Sequence, residues 1–527
     1  MNIPDAPQSS VLDPVQNLLT GTATKYVLLA VNVGLGVFMM PFTLRHLGTA
    51  DYGLWMLVAS MTYYFQLLDL GYGSGLVRHV SDADARNNTE RVNQILSTFA
   101  VVYSGLGLAA AAGVAGIVFF VIPHFPNLPA EHVWRAQALL AIMGARIAIG
   151  FPMTVFGAVT TARQRFAMNN VVAIGFACAN AAATYLVLAA GHGLLTLVAV
   201  TTAVNISSYA AYAWTARRAF PQIRLRPSSF SRALVGEVTA YSIYLFIIDI
   251  AIQIGFNLDN VVVGAVLGTS AVAIYAVALR IADYQRQLCN QFNGLLFPIV
   301  VRFGAAGQRD ALRQLMIDST RIALTLVVGV TICVIAFGRP LVVHWMGPQF
   351  DGSAMPLYVL AITGVVLVGQ GPVGNVLLGL GRHRLVAWIA LAESITNLVL
   401  SVILVRRYGI VGVAVGTALP VIAANLFVLV PTACREVGIA VWPFVRAVTS
   451  AAIVGAVPSA LTAAWLSNAI PPDSVGTVLA EGAVTALVYA ATVLAIGLHP
   501  SVRRRYLDHL RGVQTAAALR GIGAAGA

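Results

Sequence analysis

Asp69, Arg146, Asp249, Asp259, Arg280, Asp283, Arg286, Asp318, Arg321 and Glu393 stand inside stretches that otherwise carry almost no charge. An ionisable group at the centre of a membrane-spanning helix costs roughly 2.5 to 3.5 kcal/mol to insert, so each is a candidate for function. Two chemistries are open to them. An arginine offers a planar fork that matches phosphate oxygens and stays charged when buried. A buried carboxylate can take up a proton or a cation, because burial favours its neutral form. Asp69, Asp249, Asp259, Asp283 and Glu393 are the candidates for such ion coupling. Asp318 and Arg321, one turn apart, read as a structural pair.

The stretch from Arg280 onward is the richest. At about 100° per residue Arg280, Asp283, Tyr284, Gln287, Asn290, Gln291 and Gly294 share an arc of about 120° on one helix. A polar stripe that wide must line a wet cavity or another polar helix. The competing reading is neutralisation along the helix, since Arg280, Asp283 and Arg286 are spaced i, i+3, i+6. Arg146, in AIMGARIAIG, has no carboxylate within one turn.

GYGSG at 71–75 has the look of a phosphate-cradling loop, which would need a strand before it and a helix directly after. Neither is expected. The apolar run YGLWMLVASMTYYFQLL precedes the glycines and the polar stretch VRHVSDADARNNTER follows. Gly71, Gly73 and Gly75, with Gly53, are expected to let helices pack closely and bend. Pro152 and Pro372, like Pro41, Pro298 and Pro420, are expected to break apolar helices where a transporter flexes.

The elements that must position these residues are membrane helices. Of 527 residues 58% are hydrophobic and 10% charged, against roughly 25% charged in an ordinary globular domain. Fourteen apolar windows, from 22–44 to 475–498, are each near the roughly 20 residues that span a bilayer. With the N-terminus inside, 23 basic residues fall in cytoplasmic loops and tails and five in outer loops, so both termini are expected in the cytoplasm. Topology thereby accounts for the net charge of +12, and no nucleic-acid partner is implied. No cleavable signal is expected. Cys178, Cys289, Cys333 and Cys434 lack metal spacing, so no metal and no cofactor is expected. There is no HExxH, and no outer loop is large enough for a catalytic domain, which argues against an enzyme.

An internal repeat divides the chain. LGTADYGLW (47–55) aligns with LGTSAVAIY (267–275) at an offset of 220, and the same offset pairs Pro152 with Pro372. ARQRF (162–166) and GLLTLVAVTTA (193–203) answer GRHRL (381–385) and GIVGVAVGTAL (409–419). Six crossings per half make the repeat parallel. The expected segments are a cytoplasmic 1–21, an N-lobe 22–216, a basic linker 217–232, a C-lobe 233–435, two further helices in 436–498 and a basic cytoplasmic tail 499–527.

LGTADYGLWMLVASMTYYFQLLDLGYGSGLVRHV, LRIADYQRQLCNQFNGLLFPIVVRFGA and the six-plus-six-plus-two arrangement resemble the polysaccharide transporter (Wzx-type flippase) family of the multidrug/oligosaccharidyl-lipid/polysaccharide exporter superfamily. The resemblance implies a bacterial inner-membrane protein that moves an undecaprenyl-pyrophosphate-linked oligosaccharide outward by alternating access of two lobes. On that reading Arg146, Arg280 and Arg286 bind pyrophosphate, and Tyr284, Gln287, Asn290 and Gln291 line the same substrate site. A proton or sodium gradient is the candidate driving force, and a polysaccharide polymerase and chain-length regulator are the implied partners. A drug antiporter and a lipid-II-type flippase of the same superfamily are the rival expectations.

Overall fold

The computed structural model describes residues 9–69, 71–290 and 293–497, and every regular element among them is helical. In lipid no water reaches backbone N–H and C=O groups, so an apolar chain closes its hydrogen bonds within helices. Fourteen long helices follow one another among the described residues. α1 (9–47) and α2 (49–63) form one rod that breaks at Gly48. α2 tightens into a 3₁₀ turn over Tyr64–Asp69 and resumes over Tyr72–Ala85. Then come α3 (Thr89–Gly116), α4 (Ala130–Ala162), α5 (Phe166–Ala189) and α6 (Leu194–Ala219). α7 (Arg232–Leu267) is followed by α8 (Thr269–Cys289, resuming over Asn293–Ala305). α9 (Arg309–Met346) and α10 (Ala354–Gly379) precede a second broken rod, α11 (383–408) and α12 (410–424), with its break at Gly409. The last turns of α12 run on to Val437, and α13 (Val441–Ala469) and α14 (Val475–Thr492) follow.

Ten stretches among the described residues are long and apolar enough to cross a membrane, and two of these, Ala23–Asp69 and His383–Val437, each contain one of the glycine breaks. Large apolar side chains such as Phe38, Phe119, Phe120 and Phe427 project outward, as lipid-facing helices require. The protein is a multi-pass membrane protein.

The helices pack into two compact units, Met1–Val277 with His383–Pro420 and Ala278–Arg382 with Val421–Ala527. This grouping differs from the lobes drawn from the repeat, because α7, the start of α8, α11 and the start of α12 pack with the first six helices. In the first unit α5 runs along α1, where Asn170 donates to the Gly21 carbonyl and to Thr24, each at 3.0 Å. α3 approaches α4 so closely that a Cβ on Gly107 would lie 2.5 Å from the Ala148 carbonyl oxygen. In the second unit α14 leans on α9, with Tyr489 donating to the Thr325 carbonyl at 2.8 Å.

The segment between α6 and α7 is docked along α3. Asn93, Ser97 and Thr98 present one polar face of that helix. The Asn93 amide donates to the Gln222 carbonyl at 2.9 Å and its oxygen accepts from the Arg224 N–H at 2.8 Å. Arg226 N–H reaches the Ser97 hydroxyl at 3.0 Å and Ser231 N–H the Thr98 hydroxyl at 3.1 Å. At the start of the chain, α1 is already helical from Ser9, within the segment expected to precede the first span.

Candidate functional site

Asp259 of α7 is buried, with 3% of its surface exposed. It accepts from Tyr275 of α8 at 2.7 Å and from Thr417 of α12 at 2.9 Å. The same Thr417 hydroxyl lies 3.3 Å from the Asn397 side-chain oxygen on α11 and 3.2 Å from the Val413 carbonyl. One hydroxyl proton cannot serve three acceptors at once. Ser401, one turn beyond Asn397, adds a hydroxyl 2.9 Å from the same amide oxygen. A carboxylate, an amide oxygen, a backbone carbonyl and three hydroxyls thus converge, the hard oxygen set that suits a proton or a small hard cation. Sequence reasoning reached Asp259 and missed Tyr275, Asn397, Ser401 and Thr417.

The stripe on α8 divides. Arg286 pairs with Asp283 one turn back, so local neutralisation holds for these two. Tyr284 and Asn290 are half-buried, whereas Arg280 and Gln287 are exposed. Gln285, on the other side of the helix, is the buried polar residue that the stripe did not include. It donates to Thr331 of α9 at 2.7 Å and to the Ala361 carbonyl of α10 at 3.2 Å. Arg146 of α4 is exposed as well, and its carbonyl accepts from Tyr209 at 3.2 Å. Among the described residues neither Arg146 nor Arg280 has a carboxylate within 4 Å. Gln291 and the side chain of Asp249 lie outside the described residues.

Asp69 sits at the break in α2. Its carboxylate accepts from the Tyr103 hydroxyl at 2.7 Å and from the Gly73 N–H at 3.2 Å, so it caps the resumed helix. The expectation that no helix follows GYGSG is corrected here. Tyr72, Leu76, Val80 and Ala83 are buried at helical spacing, and that apolar face folds the polar stretch into helix through Ala85. Gly71, at φ 72°, supplies the left-handed residue that turns the chain. Gly73 makes no tight approach. A Cβ on Gly73 would meet Asp69 at 3.5 Å and the Tyr103 hydroxyl at 3.9 Å, ordinary contact distances, and Gly75 is buried within the resumed turn. The close approach belongs to Gly53, where a Cβ would lie 1.8 Å from the Thr269 carbonyl oxygen.

Pro152 and Pro372 lie inside α4 and α10, which continue past them. The backbone stays helical through both prolines, whereas non-helical backbone falls at Gly48 and Gly409 in the two broken rods. Asp318 and Arg321 form the expected pair at 3.3 Å, and Arg321 also donates to the Ala447 carbonyl at 2.9 Å. Glu393 is half-buried on α11, one turn ahead of Asn397.

The chain is similar in sequence and in fold to known membrane proteins. It is 23% identical over 497 residues to the uncharacterized membrane protein EpsK of Bacillus subtilis, which covers 91% of this chain and 95% of EpsK. It is 25% identical over 195 residues to the probable low-salt glycan biosynthesis flippase Agl15 of Haloferax volcanii, covering 37% of this chain and 41% of Agl15. The fold is similar to that of the lipid II flippase MurJ, with a TM-score of 0.67 at 14% identity over 88% of this chain and 98% of MurJ. An inward-facing multidrug resistance MATE family transporter of the MOP superfamily gives 0.64 at 12% identity over 78% of this chain and 98% of the transporter. Residues 18–304, over half of the length, match the model of the polysaccharide biosynthesis protein family, and the chain belongs to that family.

Proposed function

We propose that the protein is a flippase that moves an undecaprenyl-pyrophosphate-linked oligosaccharide repeat unit across the bacterial inner membrane for polysaccharide assembly. The observation that carries this reading is the pair Arg146, exposed on a helix long and apolar enough to cross a membrane, and Arg280, exposed on α8, neither with a carboxylate within 4 Å among the described residues. An unmatched guanidinium on a spanning helix favours an anionic cargo, and its fork fits phosphate oxygens. Tyr284, Gln287 and Asn290 supply neutral donors and acceptors beside Arg280, the chemistry that sugar hydroxyls need. Membership of the polysaccharide biosynthesis family and the kinship with Agl15 support a glycan-linked cargo.

In this reading two six-helix lobes, 22–216 and 233–435, alternate in access, both termini face the cytoplasm, and the released repeat unit passes to a polymerase. Asp259, with its ring of oxygens, takes up the coupling proton or cation. A small-molecule antiporter would favour an acidic cavity for cationic drugs, and the exposed arginines weigh against it.

The test is to delete the gene in a strain whose polymerase is intact and identify by mass spectrometry what accumulates on the polyprenyl carrier. A lipid-linked repeat unit is expected. Accumulation of lipid II instead would reassign the cargo, and unchanged carrier lipids with reduced dye efflux would overturn the flippase reading.

A further inference from the structure

One face of α2 carries Gly53, Leu57, Ser60 and Tyr64, spaced four, three and four residues apart. It runs along α7 and into the start of α8. At one end the Gly53 backbone meets the Thr269 carbonyl with no room for a Cβ, and Ala273 N lies 3.3 Å from the same point. A turn further, Leu57 packs on Gly264, where a Cβ would come within 2.9 Å of its methyl group. Deeper still the seam becomes polar. The Asn260 amide donates to the Ser60 hydroxyl at 2.9 Å, and Ser60 passes its own proton to the Met56 carbonyl at 2.9 Å. Asn260 and Ser60 are 7% and 4% exposed, so this bond is shielded from water.

Asn260 follows Asp259 directly. Adjacent helical residues diverge by about 100°, so one faces the oxygen cluster while the other faces α2. Any rotation or shift of α7 that accompanies occupancy of Asp259 must therefore move the Asn260 amide against Ser60. The seam is also poised rather than locked. Among the described residues the Asn260 side-chain oxygen and the Tyr64 hydroxyl are buried without hydrogen-bond partners. Each such group costs on the order of 1–3 kcal/mol, which lowers the stability of the closed seam and makes it sensitive to small changes.

We propose that Asn260 and Ser60 are positioning residues that transmit the occupancy of Asp259 to the closure of α2 against α7 and α8. The proposal rests on the reading of Asp259 as the coupling carboxylate. It goes beyond that reading in naming the bond through which the ion controls access. Tyr64 on α2 and Tyr275 on α8 are titratable side chains that face Asp259. The groups from α11 and α12 are the uncharged Asn397 and Thr417.

The test uses the full chain in lipid vesicles, with its cysteines replaced and Ala273→Cys introduced as a reporter buried beside Gly53. The rate of labelling by a membrane-impermeant maleimide is measured with sodium or choline chloride and at acidic or neutral pH. The parent is expected to respond to one of these ions by about five-fold or more, the lower end of typical allosteric coupling. Asp259→Asn should lose the response, and a response that survives that change would sink the coupling reading itself. With Asp259 intact, Ser60→Ala and Asn260→Ala should lose the response while retaining ion-dependent thermal stabilisation, and Ser60→Thr, which keeps the hydroxyl, should restore it. Retention of the parent's response in both alanine variants would overturn the proposal and leave Asp259 as the coupling residue. A parent that responds to neither ion would overturn it too. Loss of thermal stabilisation together with the response would reduce Asn260 and Ser60 to structural roles.

Discussion

Gly48 and Gly268 stand 220 residues apart and adopt one backbone geometry, φ 77° with ψ 171° and φ 85° with ψ 175°. Each is the middle residue of a Leu-Gly-Thr that ends one long helix and begins the next. Asn87 and Gly307, at φ 54° and 66°, and Asn127 and Gly347, at 54° and 110°, repeat the left-handed turns at the same offset. The turns therefore recur with the sequence repeat even though the compact units cut across it.

Because this conformation is open essentially to glycine alone, Gly48→Ala should cost about 1–3 kcal/mol. No neighbour lies within 4 Å of a Cβ placed there, so the loss would come from the backbone rather than from a clash. Thermal unfolding in detergent should show it. The control is Gly34→Ala, in mid-helix and equally uncrowded, which should be neutral or stabilising, as expected for glycine replaced within a helix.

The spans and the charged residues were legible because both are extremes of composition. Asp259 stood out as a charge in an apolar run. Its partners did not, since Asn397, Ser401 and Thr417 are ordinary uncharged residues on helices more than a hundred positions away in sequence. Only tertiary packing brings them to the carboxylate. The helix over Tyr72–Ala85 was legible in principle. Tyr72, Leu76, Val80 and Ala83 follow helical spacing, but the charges between them suggested a loop.

Arg146→Gln and Arg280→Gln should each abolish or sharply reduce polysaccharide export while leaving the protein in the membrane at normal abundance. Losing a charge-assisted bond to phosphate costs about 1.5–3 kcal/mol, or roughly ten- to a hundred-fold in affinity. Arg286→Gln should behave differently. It strips Asp283 of its partner, so abundance should fall along with export. Immunoblots of membranes beside surface-polysaccharide assays separate the two patterns, and full export in both Arg146→Gln and Arg280→Gln would remove those residues from the site.

Asp69 is expected to act on stability rather than on transport. Tyr103→Phe and Asp69→Ala each remove the 2.7 Å bond across the break in α2, and Asp69→Ala also removes the cap on Gly73. Loss of a cap and a buried bond should cost about 1–2 kcal/mol. The double variant should cost less than the sum of the two single ones, because both delete the same interaction. Equal unfolding temperatures for parent and Asp69→Ala would contradict the capping role.

Asp259→Asn should uncouple transport from the ion gradient. The amide keeps nearly the same shape but loses the charge that a cation or proton requires, so export should become insensitive to collapse of that gradient or cease altogether. Thr417→Val is the finer probe. It removes the hydroxyl shared by Asp259, Asn397 and the Val413 carbonyl while preserving volume, and so takes one oxygen from the cluster without touching its charge. Ion dependence should then persist but shift by about ten-fold to higher concentration, the change that accompanies loss of roughly 1.4 kcal/mol of binding. Titration of transport in vesicles against sodium and against pH would identify which ion is shifted. An unshifted titration for both variants would place the coupling ion elsewhere.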